Sequence, residues 1–138
     1  MKITKTFTWD MAHRLTNHKG KCYNLHGHTY KAEITIAGDI DKNGFVMDFG
    51  DLKEIVKNSL LDEFDHSFLC YVNDDIGRQI KQHNNTLKRP MKIIDFPEET
   101  TAEHISNYIF NILKDRGVNV CKVMVWETPT SQACYESI

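Results

Sequence analysis

The stretch Cys22-Tyr23-Asn24-Leu25-His26-Gly27-His28-Thr29-Tyr30-Lys31-Ala32-Glu33-Ile34-Thr35-Ile36-Ala37 decides how this chain is read. From Thr29 onward, Ala32, Ile34 and Ile36 alternate with Lys31, Glu33 and Thr35, which is the period of a strand with one apolar face. His28 opens that strand. His26 and His28 are two apart, so extended backbone turns both imidazoles to the same side. Upstream, between Lys2 and Leu15, Ile3, Phe7, Trp9, Met11 and His13 also alternate, and an earlier strand with His13 on its apolar face is expected. Three imidazoles so gathered hold a metal ion and leave a coordination position open, the arrangement of a catalytic site. Zinc is the expected ion.

Downstream, Asp41-Lys42-Asn43-Gly44 carries a strong turn signal. Phe49, Leu52, Ile55, Val56 and Leu60 follow at helical spacing, predicting a helix from near Asp48 that fades before Phe64-Asp65-His66. The polar stretch from Cys70 to Phe96 reads as a short helix and an irregular loop. Ile105, Tyr108, Ile109, Ile112 and Leu113 define a second helix stopped near Gly117. Strands over Val118–Trp126 and Gln132–Ile138 complete the order strand-strand-helix-helix-strand-strand. The expected fold is therefore α+β, with helices on one face of an antiparallel sheet.

Composition narrows the function. The chain has 138 residues, enough for one domain spanning 1–138 with a real core, and 41% of them are hydrophobic. A formal charge of -2 argues against coating nucleic acid or a membrane surface. No apolar run approaches the roughly 18 residues of a membrane span, and Met1-Lys2-Ile3-Thr4 does not begin a signal peptide. The scattered Cys22, Cys70, Cys121 and Cys134 include no Cys-x-x-Cys pair, so reduced thiols in a cytoplasm are expected.

Four further sites are read from their local context. Cys22 is a fourth metal ligand closing a structural site, a thiolate moving protons beside Lys19 and Lys21, or a small buried side chain. Asp65-His66 is a carboxylate orienting a general base, or a helix end with a solvated charge. Glu103 fits a capping box with Thr100, in which both satisfy the first amides of the second helix. Glu127, at a strand end before Pro129, is an exposed loop residue or a carboxylate buried for a purpose.

Taken together, several motifs resemble the 6-pyruvoyltetrahydropterin synthase family. They are Trp9-x-x-Ala12-His13-Arg14-Leu15, Cys22-x-x-x-His26-Gly27-His28-x-Tyr30, Val46-Met47-Asp48-Phe49-x-x-Leu52-Lys53, Asp65-His66, Thr101-x-Glu103 and Trp126-Glu127-Thr128. The likeness is strongest to the family's bacterial 6-carboxytetrahydropterin synthase branch of queuosine biosynthesis. It implies the tunnelling fold, a four-stranded antiparallel sheet with two helices on one face, and a longer loop region at about 70–96. It implies homo-oligomers, trimers or dimers of trimers, with active sites between subunits. By motif position His13, His26 and His28 become zinc ligands. Cys22, Asp65 and His66 become the catalytic triad, with His66 drawn from an adjacent subunit. Glu127 anchors the pterin, helped by Thr101 and Glu103, and Arg14, Lys19 and Lys21 are candidate triphosphate contacts. The implied activity is a zinc-dependent lyase turning 7,8-dihydroneopterin triphosphate into 6-carboxytetrahydropterin. The alternatives are the pyruvoyl-forming phosphate lyase and, from the residues alone, a zinc-stabilised binding module without catalysis.

Overall fold

β1 (Lys2–His13) and β2 (His26–Ala37) pair antiparallel, in a register running from Lys2 opposite Ala37 to His13 opposite His26. That register keeps Phe7, Trp9, Met11 and His13 on the same face as Tyr30, Ala32, Ile34 and Ile36, all buried. The computed structural model describes residues 1–137, so the expected end of the last strand at Ile138 lies outside the described residues.

Asp48 caps α1 (Phe49–Val56), its side chain accepting from the amides of Gly50 and Asp51. The helix continues through a π-helical turn, Lys57–Leu61, and a last turn, Asp62–Phe64. Leu52, Val56, Leu60 and Phe64 recur every four residues along it and are buried. β3 (Ser67–Tyr71), α2 (Asp75–Asn84) and β4 (Ile93–Phe96) come next. Then follow α3 (Ala102–Asp115), β5 (Val120–Thr128) and β6 (Ser131–Glu136). Gly117, at φ 79°, takes the left-handed conformation that ends α3.

The strands form one six-stranded mixed sheet in the order β4-β3-β1-β2-β5-β6. This corrects the expected four-stranded antiparallel sheet with two helices. β3 runs parallel to β1, and β4 parallel to β3, so Cys70–Phe96 contains a parallel crossover with a third helix. The physical reason for the miss lies in the side chains. β3 buries Ser67, Leu69 and Cys70, without alternation, and β4 has four residues. α2 buries Gly77 and Asn84 and leaves Ile76 exposed, so no apolar stripe marks it. Gly77 is required there: a Cβ would sit 2.3 Å from Cys70 Sγ, so only glycine lets α2 lie this close to β3.

One core joins these elements. Tyr30, Ile34, Leu52, Val56, Leu69, Ile105, Ile109, Leu113, Val123 and Val125 are fully buried within it. The sheet's other face, bearing Thr6, Thr8 and Asp10 of β1 and Thr29 of β2, is exposed. Strand alternation therefore puts the histidines on the helix-covered side.

Candidate metal centre and active site

His13, His26 and His28 converge at the open end of the β1–β2 pair. One ring nitrogen from each lies within 4.8 Å of the other two. Cys22 is not part of this set, so three imidazoles stand alone and a fourth position is left open.

The unused atoms of these rings fit a cation. His13 Nδ1 lies 2.9 Å from the Thr100 carbonyl, which can only accept, so Nδ1 carries the hydrogen and Nε2 the lone pair. That Nε2 is buried and has no hydrogen-bond partner among the described residues. A buried acceptor left unpaired costs roughly 1–3 kcal/mol, a cost that a bound cation removes. His26 repeats the pattern, donating from Nδ1 to the Asn24 carbonyl at 2.7 Å. Its Nε2 lies 3.1 Å from His28 Nε2, near the about 3.3 Å edge of a tetrahedron with metal–nitrogen bonds of about 2.0–2.1 Å. Carbonyl partners on the far ring nitrogen are the usual way to orient a ligating imidazole. Burial holds the His13 pKa down at about 4, with smaller contributions from His26 and His28, so the ring is neutral as ligation needs. Burial and His26 also lower His28. The cluster can bind a metal.

Cys22 lies beside the cluster, half-buried, on the single 3-10 turn Lys21–Tyr23. Tyr30 is fully buried beneath the histidines, its ring centroid 5.5 Å from that of His28, and its hydroxyl has no hydrogen-bond partner among the described residues. Burial, then the charges of Glu127 and Cys22, push this phenol far up. Tyr30 received no role from sequence reasoning. Its spacing, two residues beyond His28 on the same strand face, was the available signal.

Glu127 stands on β5 and helps line a cleft of about 590 Å³ with His28, Trp126 and Pro129. Burial and the facing Glu103 raise its pKa, against a lowering pull from His26. The expected capping box around Glu103 is displaced by one residue. Thr101, not Thr100, caps α3, accepting from the His104 amide, which puts Glu103 one position short of the reciprocal cap. Thr100 is instead fully buried, holding His13 through its carbonyl and donating its hydroxyl to the Arg14 carbonyl.

Asp65 and His66 are placed apart from this cluster. His66 has φ 59°, a left-handed conformation costing a bulky residue on the order of 1 kcal/mol, and its side chain is 76% exposed. Its amide donates to the Asp10 carbonyl at 2.7 Å, and its Nδ1 lies 2.9 Å from Asp65 Oδ1. Partial burial would raise the Asp65 pKa. The Asp10 amide, the His66 ring and the charge of Lys92 outweigh that and hold it below the usual carboxylate range. His66 borders a depression of about 490 Å³ with Asp10, Ala12, Gly27, His28 and Thr29. Arg14 is also not where the sequence suggested. It is buried in an ion pair with Asp74, 2.5 Å from Nη1 to Oδ1, and is not offered to a ligand. Lys19 and Lys21 are exposed.

Fold and site thus define an α+β protein with a three-histidine metal cluster beside a thiol and two facing carboxylates. Residues 2–137 match the family model described as 6-pyruvoyl tetrahydropterin synthase. A Haemophilus influenzae protein named 6-carboxy-5,6,7,8-tetrahydropterin synthase is 45% identical over 140 residues, covering 98% of each chain. An Aquifex aeolicus protein of the same name is 37% identical, over 98% of this chain and 97% of its own. Among solved structures, a catalytic-residue mutant of Plasmodium vivax 6-pyruvoyltetrahydropterin synthase superposes with a TM-score of 0.74 at 22% identity. The match covers 99% of this chain and 97% of the other. The chain belongs to the 6-pyruvoyl tetrahydropterin synthase family. No helix among the described residues is long and apolar enough to cross a membrane.

Proposed function

We propose that the protein is a zinc-dependent carbon–carbon lyase that converts 7,8-dihydroneopterin triphosphate and one water to 6-carboxytetrahydropterin, acetaldehyde and triphosphate. The observation that carries this reading is the joint presence of the open three-histidine cluster and the Glu127–Glu103 pair. It is supported by 45% identity to a relative bearing the 6-carboxy-5,6,7,8-tetrahydropterin synthase name. A three-imidazole donor set without carboxylate or thiolate suits zinc. Zinc bound there supplies Lewis acidity to the substrate's side-chain hydroxyls and to the protons on adjoining carbons.

The chain's own residues do the rest. Glu127 accepts two hydrogen bonds from the pterin, whose ring amide and exocyclic amine present adjacent donors. Such donors stabilise the ionised carboxylate against the burial and the Glu103 charge that raise its pKa. Glu103 and Thr101 border the same end of the site. Cys22 as thiolate takes a proton from the substrate side chain. His66, oriented through Nδ1 by Asp65, exchanges protons through Nε2.

His66 is largely exposed and lies outside the three-histidine set of its own chain, which supports assembly with a second copy that brings it to a neighbouring site. The sheet edges support this as well. Among the described residues, β1 from Lys2 to Trp9 has no strand on one side and β6 none beyond it, so copies can join edge to edge. Four free cysteines fit a reducing cytoplasm.

The test is mass analysis of products from the zinc-loaded protein and 7,8-dihydroneopterin triphosphate. 6-Carboxytetrahydropterin with acetaldehyde is expected. A pyruvoyl product moves the protein to the other branch of the family, and no turnover overturns the lyase reading.

A further inference from the structure

The β3–α2–β4 crossover received no function from the sequence, yet it delivers one buried charge toward Cys22. Asp74, only 3% exposed, caps α2 by accepting from the Ile76 amide at 3.1 Å. The same carboxylate oxygen binds Arg14 Nη1. Arg14 then turns its remaining hydrogen-bonding edge to the Cys22 turn. Its Nε donates to the Tyr23 carbonyl at 3.1 Å, and its guanidinium carbon sits 4.6 Å from the centre of the Tyr23 ring. The next residue, Leu15, donates its amide to the Cys22 carbonyl at 2.9 Å. Two consecutive carbonyls, those of Cys22 and Tyr23, are thus held by two consecutive residues, Arg14 and Leu15.

We propose that Arg14 and Asp74 are positioning residues that hold the Cys22 turn in its reactive geometry, and that the crossover exists in part to supply Asp74. The inference rests on the reading of Cys22 as the reacting thiol. Its physical basis is the weakness of the turn on its own. Lys21–Tyr23 is a single 3-10 turn with no side-chain cap and no buried residue, so packing does not fix it. A guanidinium fork can. It binds the carboxylate with one arm and a carbonyl with another in a planar, pre-organised shape that lysine lacks. The opposite arrangement, a surface ion pair, would restrain little. Here both partners are desolvated, with 5% and 3% exposure, so Arg14 has no competing water. The Thr100 hydroxyl, donating to the Arg14 carbonyl, joins this clamp to the residue that orients His13. Metal ligand and thiol are in this way referred to one rigid point.

Arg14→Lys and Asp74→Asn test the clamp, with circular dichroism and metal content confirming folded, loaded protein. The first keeps a cation opposite Asp74 but removes Nε and the planar stack. The second keeps the size of the cap but removes the charge. A misplacement of about 1 Å costs on the order of 100-fold in rate, so kcat is expected to fall roughly 10- to 100-fold with KM nearly unchanged. Independently of turnover, the alkylation rate of Cys22 by iodoacetamide, located by peptide mass mapping among the four cysteines, should rise several-fold as the turn loosens. A merely structural ion pair predicts a lower Tm with unchanged kcat and unchanged Cys22 alkylation at temperatures where both proteins are folded. That outcome in Arg14→Lys overturns the proposal even if Asp74→Asn fails to fold. If the wild-type protein has no turnover, the lyase reading fails, while the alkylation rates still decide the clamp.

Discussion

Two histidine-bearing regions of this molecule are built on opposite plans. At the open end of β1–β2, His13 is buried, neutral and held by Thr100, and its neighbours are locked by a twelve-residue strand register. At the end of α1, His66 stands 76% exposed in a left-handed conformation, steadied by Asp65 and the Asp10 carbonyl. The first region holds the far-side nitrogens of His13 and His26 on carbonyls of its own chain and leaves their Nε2 atoms for a cation. The second directs a carboxylate-oriented imidazole outward into solvent. A ligand site needs geometry to better than an ångström, and strands supply it. A group that serves a neighbouring copy needs only a firm base and an open approach.

Breaking either plan has a distinct signature. The largest effects come from Cys22→Ala and His66→Ala, each expected to lower turnover by about 100- to 10,000-fold while metal content stays at the wild-type value. Mixing the two inactive proteins under conditions of subunit exchange should restore part of the activity, because one copy then supplies Cys22 and the other His66. No recovery despite verified exchange would mean that both groups act within one chain.

His13→Ala breaks the other region. Metal content is expected to fall to background with activity lost, and metal retained at the wild-type ratio would refute the ligand role. Treating the wild-type protein with a chelator should produce the same loss without mutation. It should also lower Tm, since an ion that binds only the folded state stabilises it.

A smaller effect is expected for Glu127→Gln. Replacing a carboxylate by an amide removes charge assistance and one acceptor, so pterin affinity should fall roughly 10- to 100-fold, an effect of about 1.5–3 kcal/mol. Calorimetric titration with a non-reacting pterin checks it, and near-normal binding would rule out the anchor.

The smallest concerns acid. In metal-free protein, the folded-state pKa of His13 near 4 lies below the unfolded value of 6.5. The unfolded chain therefore binds more protons between those values. Stability contributed by the neutral ring is complete above pH 6.5 and is lost as pH falls toward 4, by up to about 3 kcal/mol. Urea unfolding across that window should show the slope, and His13→Gln should flatten it.

Much of this was legible in the chain, for identifiable reasons. Alternation through Trp9, Met11 and His13, and again through Tyr30, Ala32 and Ile34, specified two strands and the side on which the imidazoles lie, because a strand's period of two leaves no freedom. The four-residue recurrence of Leu52, Val56 and Leu60 did the same for α1, and Gly117 marked the end of α3. Where burial did not follow apolarity, the sequence was silent. α2 packs through Gly77 and Asn84, and β3 buries a serine and a cysteine, so a parallel crossover looked like a short helix and an irregular loop. The cap of α3 was misread by one residue, since Thr100 and Thr101 are equally competent caps and only the position of His13 reserves Thr100.

What the sequence determined by itself was the set of chemical groups and the local geometry that periodicity enforces: three imidazoles, a thiol, and carboxylates at strand and helix ends. Tertiary structure alone decided which of them meet. Asp74 reaches Arg14 across sixty positions of chain, Thr100 reaches His13 across eighty-seven, and Glu103 comes to face Glu127. Such meetings depend on where whole elements pack, which is a property of the summed core and not of any spacing along the chain.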